Sequence, residues 1–168
     1  SSSKREKKIP IVFDYLPKSE KANRWISIGR LDINTSGLML FTNDGDFANF
    51  CMHPSSQIDR EYLVRARGIF SNEKKQKLCE GIKIDGELFS FSDIVEGQKN
   101  GSNQWFSVCL QSGKNREVRK LFESVEMEVS RLKRTRFGPI FLPSTLKIGT
   151  CLELDDNDIS SIKEYGTH

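Results

Sequence analysis

Ile82-Lys83-Ile84-Asp85-Gly86-Glu87-Leu88-Phe89 and the residues that follow it, up to Leu110, decide the fold class. Three apolar-rich runs, at 82–84, 89–95 and 105–110, are punctuated by Asp85-Gly86 and Asn100-Gly101. Asp-Gly and Asn-Gly tolerate the positive φ that tight hairpin turns demand, so the runs read as antiparallel strands joined locally. In the last run Phe106, Val108 and Leu110 alternate with Ser107, Cys109 and Gln111, the pattern of a sheet with one wetter face.

Downstream, Val118, Leu121, Phe122 and Val125 fall at the spacing of an amphipathic helix, with Ser112 or Asn115 as candidate caps. Arg116, Arg119 and Lys120 cannot all share that apolar stripe, so several point away from the core. Residues 129–137 read as a strand dense in Arg and Lys, closed by Gly138-Pro139; a strand near 151–154 and a helix from about 156 to 165 follow. Upstream lies a helix over 71–79, with Ser71 as N-cap and Glu80-Gly81 as its end. Before it come a strand at 61–66, a short helix over 46–52 stopped by Pro54, a turn at Asp44-Gly45, and strand-length runs at 38–41 and 25–28. Residues 18–23 form a polar loop, 9–16 a short strand or turn, and 1–8 a polar, basic, flexible segment. Hairpins interspersed with a few helices imply an α+β fold, a mixed and mainly antiparallel sheet with packed helices, rather than alternating βαβ units. At 168 residues, the expectation is one folded domain over 9–168.

Hydrophobic residues make up 36% and charged residues 29%, a composition suited to a globular protein with a solvated surface. No apolar run approaches the roughly 18 residues of a membrane helix, and residues 1–8 lack the apolar core of a signal peptide. The expected compartment is the cytoplasm and the expected state a monomer. Cys51, Cys79, Cys109 and Cys151 form no CxxC pair, which fits reduced, mostly buried thiols. With His53 and His168 as the only histidines, a metal site or a Ser-His-Asp triad has little material, and neither metal nor cofactor is expected.

The net charge of +3 is unevenly spread. Residues 114–136 hold eight bases (Lys114, Arg116, Arg119, Lys120, Arg131, Lys133, Arg134, Arg136) against four acids. The stretch from Glu153 to Asp158 carries acids and no base. Such a segment suits a bound polyanion, and it also suits a solvated face with ordinary ion pairs.

Chemistry concentrates in Gly29-Arg30-Leu31-Asp32-Ile33-Asn34-Thr35-Ser36-Gly37-Leu38-Met39-Leu40, a polar loop bearing one carboxylate between two apolar runs. Taken alone, Asp32 suits a turn held by its own side chain, as Asp often is. The stretch also resembles the GRLDxxTSGLLLFT signature of the ribosomal pseudouridine synthases. The resemblance continues through Asn43-Asp44-Gly45 and Met52-His53-Pro54-Ser55, then Arg60-Glu61-Tyr62-Leu63-Val64. It runs on through Lys114-Asn115-Arg116-Glu117-Val118-Arg119-Lys120-Leu121-Phe122, Val129-Ser130-Arg131-Leu132-Lys133-Arg134 and Phe137-Gly138-Pro139. These motifs stand in family order across most of residues 10–143, and their wording is most similar to the branch acting on the large subunit.

The resemblance implies an enzyme that isomerises a uridine of ribosomal RNA to pseudouridine, by expectation in 23S rRNA, with ribosomal RNA as its partner. Asp32 matches the family's catalytic aspartate, Arg119 the cation beside it, and Tyr62 the residue that stacks on the flipped uracil. Arg30 matches an arginine that fills the gap left in the RNA. The expected phosphate contacts are Lys114, Arg116, Arg131, Lys133 and Arg134, although strand alternation cannot turn the last three to one side. Two alternatives stay open: a non-catalytic RNA-binding module of the same fold, and a synthase acting on small-subunit rRNA or tRNA. Family members usually begin with an S4-type RNA-binding domain and a Lys-Pro-x-Gly strand, neither of which is found in these 168 residues. Glu126-Met127 stands where a glycine is common, a departure that touches the turn after the helix.

Overall fold

Ile26 and Ile28 flank Ser27 on β1 (Ile26–Ile28), the first strand of a computed structural model that describes Leu16, residues 25–114 and residues 116–166. The segments expected at 1–8, 9–15 and 18–23, and the proposed cap Asn115, lie outside the described residues. The chain divides into two compact units, Ser1–Ile58 with Arg136–His168 as unit 1 and Asp59–Thr135 as unit 2.

In unit 1, β2 (Ser36–Gly37) is followed by β3 (Leu40–Thr42), which pairs antiparallel with β1 in the register Ile26↔Thr42 and Ile28↔Leu40. Asp44-Gly45, expected as a turn, starts a helix instead. With Asp44 extended, its carboxylate accepts from the N–H groups of Asp46 (3.0 Å) and Phe47 (3.2 Å), capping α1 (Gly45–Met52). Pro54 then opens a single 3-10 turn, Pro54–Ser56, capped by His53 Nδ1, which accepts from the Ser55 N–H at 3.1 Å. Ile28, Leu38, Leu40, Ala48, Cys51 and Ile58 form the core of this unit with Phe137, Ile140 and Ile162.

Unit 2 is built around β4 (Arg60–Arg67). Ser71 caps α2 (Asn72–Glu80) through Lys74 N–H at 3.3 Å. The hairpin β5 (Ile82–Ile84) and β6 (Glu87–Phe89) turns through Asp85 and Gly86, both at positive φ (53° and 82°), the geometry the Asp-Gly pair anticipates. The run expected over 89–95 is broken. Phe91 is buried with its N–H on the Leu78 carbonyl (2.9 Å), and the strand resumes as β7 (Asp93–Asn100). β7 returns through Gly101 into β8 (Asn103–Leu110), with a bulge between Glu96 and Lys99. At the bulge, Gly97 lets the chains close: a Cβ there would stand 3.0 Å from the Trp105 carbonyl oxygen. α3 (Glu117–Ser124) and β9 (Glu128–Phe137) complete the run, giving the strand order β9-β4-β8-β7. The alternation of β8 holds, with Gln104, Phe106, Val108 and Leu110 buried, and these apolar residues share one core with Val118, Leu121 and Phe122 of α3.

Ser112 does not cap α3. Arg116 takes the N-cap position in the left-handed region (φ 53°) with no side-chain cap bond, because the Ser112 hydroxyl is used elsewhere. At the far end, Glu126 N–H bonds the Glu123 carbonyl (3.0 Å) and Met127 N–H the Phe122 carbonyl (2.9 Å). That is a Schellman closure with Glu126 at the left-handed position, φ 64°. A side chain there costs about 1–2 kcal/mol that glycine avoids, part of which returns as extra unfolded-state entropy. Glu126→Gly should therefore stabilise the protein by about 0.5–1 kcal/mol, read as a higher urea midpoint with an unchanged slope.

The chain re-enters unit 1 inside β9. β10 (Ile140–Phe141) pairs with the last residues of that strand, Ile140↔Phe137 and Phe141↔Arg136. Residues 151–154, expected as a strand, form none: Cys151, Leu152 and Glu153 are exposed and only Leu154 packs on the core. α4 (Asp156–Tyr165) begins with a capping box between Asp155 and Asp158. The architecture is α+β with mainly antiparallel pairing, as the hairpin signals imply.

Candidate active site

In unit 1 the Gly29-Arg30-Leu31-Asp32 stretch leaves β1 at Gly29, whose φ of +76° is open to glycine without penalty. The Ser27 hydroxyl donates to the Gly29 carbonyl, and Gly29 N–H approaches Met52 Sδ at 3.2 Å, tying the loop to α1. Arg30 is exposed, Leu31 buried and Asp32 half-buried. The following turn is closed by the main chain, with Thr35 N–H on the Asp32 carbonyl oxygen at 2.9 Å. The Asp32 carboxylate is therefore not the acceptor in that bond. A half-buried carboxylate on a loop braced by a strand and a helix can act as a nucleophile or hold a developing positive charge.

In unit 2, Tyr62 lies half-buried on the core side of β4, and Arg134 of β9 donates a hydrogen bond to it. Arg134 is 3% exposed. It was expected among the phosphate contacts, yet it is turned inward while Arg131 and Lys133 are exposed, as alternation along the strand requires. Burial pulls the Arg134 pKa below its ordinary value, and the neighbouring Tyr62 pushes it back. Arg60, two residues before Tyr62, donates to the Gln111 carbonyl at 3.4 Å. Its pKa is also lowered, first by burial and then by Arg134, against the opposing influence of Tyr62, Glu117 and Asp59.

Arg119 is largely buried on α3, with Nη1 3.5 Å from the Val129 carbonyl oxygen. Two residues earlier Glu117, 3% exposed, receives the Ser112 hydroxyl on its carboxylate, at 2.8 Å to Oε2. Sequence reasoning missed Arg60, Ser112 and Glu117. Arg60 was legible as a cation on the same strand face as Tyr62; Glu117 had counted only as one acid within the basic segment. Lys114 reaches the Leu88 carbonyl and lies 4.8 Å from the Phe89 ring centroid, while Arg116 is exposed.

Burial raises the Glu117 pKa above its usual 4.5, against the pull of the Ser112 hydroxyl, the Lys114 and Arg60 charges and the Lys114 backbone. A carboxyl with a raised folded pKa holds its proton more tightly in the fold than in the unfolded chain. Its contribution to stability is complete below the unfolded value and is lost as pH rises through the folded one. Glu117→Gln stays neutral, so its stability should gain on that of the wild type as pH rises above 4.5. Urea midpoints of both proteins across the weakly acidic range check this, and a gap that ignores pH would show that the fold leaves the Glu117 pKa unshifted.

Among the four free thiols only Cys51 is buried; Cys79 and Cys151 are exposed, so the expectation of mostly buried cysteines is corrected. No helix among the described residues is long and apolar enough to cross a membrane. No group of three His, Cys, Asp or Glu side chains among them could hold a metal ion.

The chain is 47% identical over 156 residues to the ribosomal large subunit pseudouridine synthase B of Pseudomonas aeruginosa, covering 92% of this chain and 40% of that protein. It is 49% identical over 153 residues to the protein of the same name from Vibrio vulnificus, covering 91% and 48%. Against the protein of that name from Escherichia coli K12 the identity is 46% over 155 residues, covering 92% and 53%. The chain thus spans about half the length of these curated relatives. A crystal structure of a pseudouridylate synthase shares the fold, with a TM-score of 0.76 at 24% identity over 91% of this chain and 65% of that one. The pattern that defines RNA pseudouridylate synthases matches residues 2–124, which take in the Asp32 loop, the Tyr62 strand and the Arg119 helix: the chain belongs to that family.

Proposed function

We propose that this protein isomerises a uridine of large-subunit ribosomal RNA to pseudouridine, acting as a monomer in the cytoplasm. The observation that carries the reading is identity of 46–49% over nine-tenths of the chain to relatives named for that activity, with Asp32, Tyr62 and Arg119 at the motif positions. The reaction breaks the bond from uracil N1 to ribose C1′ and forms one from C5 to C1′. The C5 proton is lost and N1 gains one, so nothing is oxidised and no cofactor is required. Asp32 supplies the carboxylate that attacks C1′ or C6. Arg119 stands at the motif position of the family's cationic partner to that aspartate. Tyr62 stacks on the extruded uracil, offsetting part of a flipping cost of roughly a few kcal/mol.

Mapping pseudouridines in ribosomal RNA from cells with and without the gene tests the assignment. One pseudouridine should vanish from the large-subunit RNA. A loss confined to small-subunit RNA or tRNA would move the substrate, and no loss in any RNA would leave the binding-module alternative.

Binding and chemistry should separate. Exposed Lys133 is a candidate phosphate contact. Lys133→Ala should weaken binding alike for target and non-target RNA and lower the salt slope of log affinity by roughly 0.7–0.9. Its single-turnover rate at saturating RNA should hardly change, because the contact is equal in ground and transition states. Arg30→Ala should instead slow that rate at saturation. Identical, binding-only profiles would make Arg30 another phosphate contact.

A further inference from the structure

Two arginines of unit 2, Arg134 buried and Arg60 half-buried, gather around one phenol. Arg134 donates to the Tyr62 side chain from β9, and Arg60 stands two residues before Tyr62 on the same face of β4. The two guanidinium groups are close enough to oppose one another's charge. Arg60 is itself held: it donates to the Gln111 carbonyl at 3.4 Å, and Gly113 leaves room for it, since a Cβ there would stand 3.3 Å from Arg60 Nη2. Glu117, pinned by Ser112 on the loop that carries Gln111 and Gly113, supplies the opposing charge.

Taking one guanidinium wholly and another partly out of water carries a desolvation penalty that well-packed apolar side chains of similar volume would avoid. Stability alone therefore gives no reason for the arrangement. What the arrangement provides is direction. A phenol stacked on a base can swing about χ1 unless its oxygen is fixed, and a planar, always-charged donor locked in a strand fixes it.

We propose that Arg134, backed by Arg60 and the Ser112–Glu117 pair, is a positioning residue that holds the Tyr62 hydroxyl and ring in place for the flipped uracil. This rests on the reading of Tyr62 as a residue that touches the base. It assigns Arg134 to chemistry through Tyr62 and removes it from the phosphate contacts.

The test is a cycle of single-turnover rates and RNA affinities in the protein as expressed from its gene: Arg134→Met, Arg134→Lys, Tyr62→Phe, and Arg134→Met with Tyr62→Phe. Arg134→Met should slow the step at saturating RNA by about 10- to 100-fold with affinity unchanged. Arg134→Lys should restore part of that rate. On top of Tyr62→Phe, the Arg134→Met change should have no further effect, because the oxygen it acts through is gone. Full additivity of the two changes, or a loss confined to affinity, overturns the proposal. So does a wild-type rate in Tyr62→Phe beside a slow Arg134→Met. Should Arg134→Met not fold, the Arg134→Lys cycle with Tyr62→Phe carries the same decision. The fluorine resonance of 3-fluorotyrosine at position 62 should also move on either Arg134 change. If the wild type isomerises no uridine, the enzyme reading fails and the positioning role with it. A fluorine shift seen in that case locates the failure in the functional reading and not in the contact.

Discussion

Asp32→Asn should fold as the wild type does and lose pseudouridine formation by about four orders of magnitude or more, the scale on which a lost nucleophile registers. The substitution keeps shape and removes the negative charge that attack on C1′ or C6 requires. Folding is spared because the turn beyond Asp32 is closed by its carbonyl oxygen, accepting from Thr35 N–H at 2.9 Å, and asparagine keeps that oxygen. Asp32→Glu is the informative partner. It retains the charge but moves it by one methylene, and a misplacement of about 1 Å costs roughly 100-fold. Release of pseudouridine from a defined rRNA fragment, followed under single-turnover conditions beside urea melts, reads both variants. Normal turnover by Asp32→Asn would falsify the assignment of the carboxylate.

Phe122→Ala should destabilise the protein by about 3–5 kcal/mol. Phe122 is fully buried on α3, with its ring centroid 5.5 Å from that of Phe91 and 5.3 Å from that of Phe106. Truncation removes the packing that α3 shares with Phe91 and with Phe106 of β8 and leaves a cavity in the core of the unit. Against a total of about 5–15 kcal/mol for a typical domain, such a loss is a large share. The control is Leu88→Ala, at a leucine 56% exposed, where the change should stay within about 0.5 kcal/mol. Equal urea midpoints for the two variants would mean that Phe122 does not hold unit 2 together.

Legibility in the sequence followed the range of the interaction. Asp85-Gly86 announced its hairpin because the φ requirement is met within the pair itself. Ser71 announced α2, and the spacing of Val118, Leu121 and Phe122 announced the buried face of α3. Asp44 was misread as a turn residue because a carboxylate before glycine serves a turn or a helix start equally well, and only the following N–H groups decide. The strand expected at 151–154 failed because the stretch pairs with no strand among the described residues. Among the site residues, Asp32, Tyr62 and Arg119 were named through the family motifs and not through spacing, since a lone Asp or Tyr has a commoner structural use. The bond between Tyr62 and Arg134 joins residues distant in sequence, and no local pattern encodes it.

Unit 2 is one unbroken stretch, Asp59–Thr135, whereas unit 1 is assembled from the residues on either side of it. Order of synthesis then becomes a constraint. The first part of unit 1 leaves the ribosome with Ile28, Leu40 and Cys51 ready, but Phe137, Ile140 and Ile162, which close the same core, come only after all of unit 2. Unit 2 has every strand and helix of its core available before that moment and can fold as a unit during translation. Folding it shortens the distance that the ends of unit 1 must search, since a compact insert replaces a long flexible loop whose closure entropy rises with its length. The segment bearing Asp32 therefore waits, with part of its core uncovered, until Ile162 is made. Destabilising unit 2, as Phe122→Ala does, should lengthen that wait and raise aggregation during synthesis even at residues the mutation never touches.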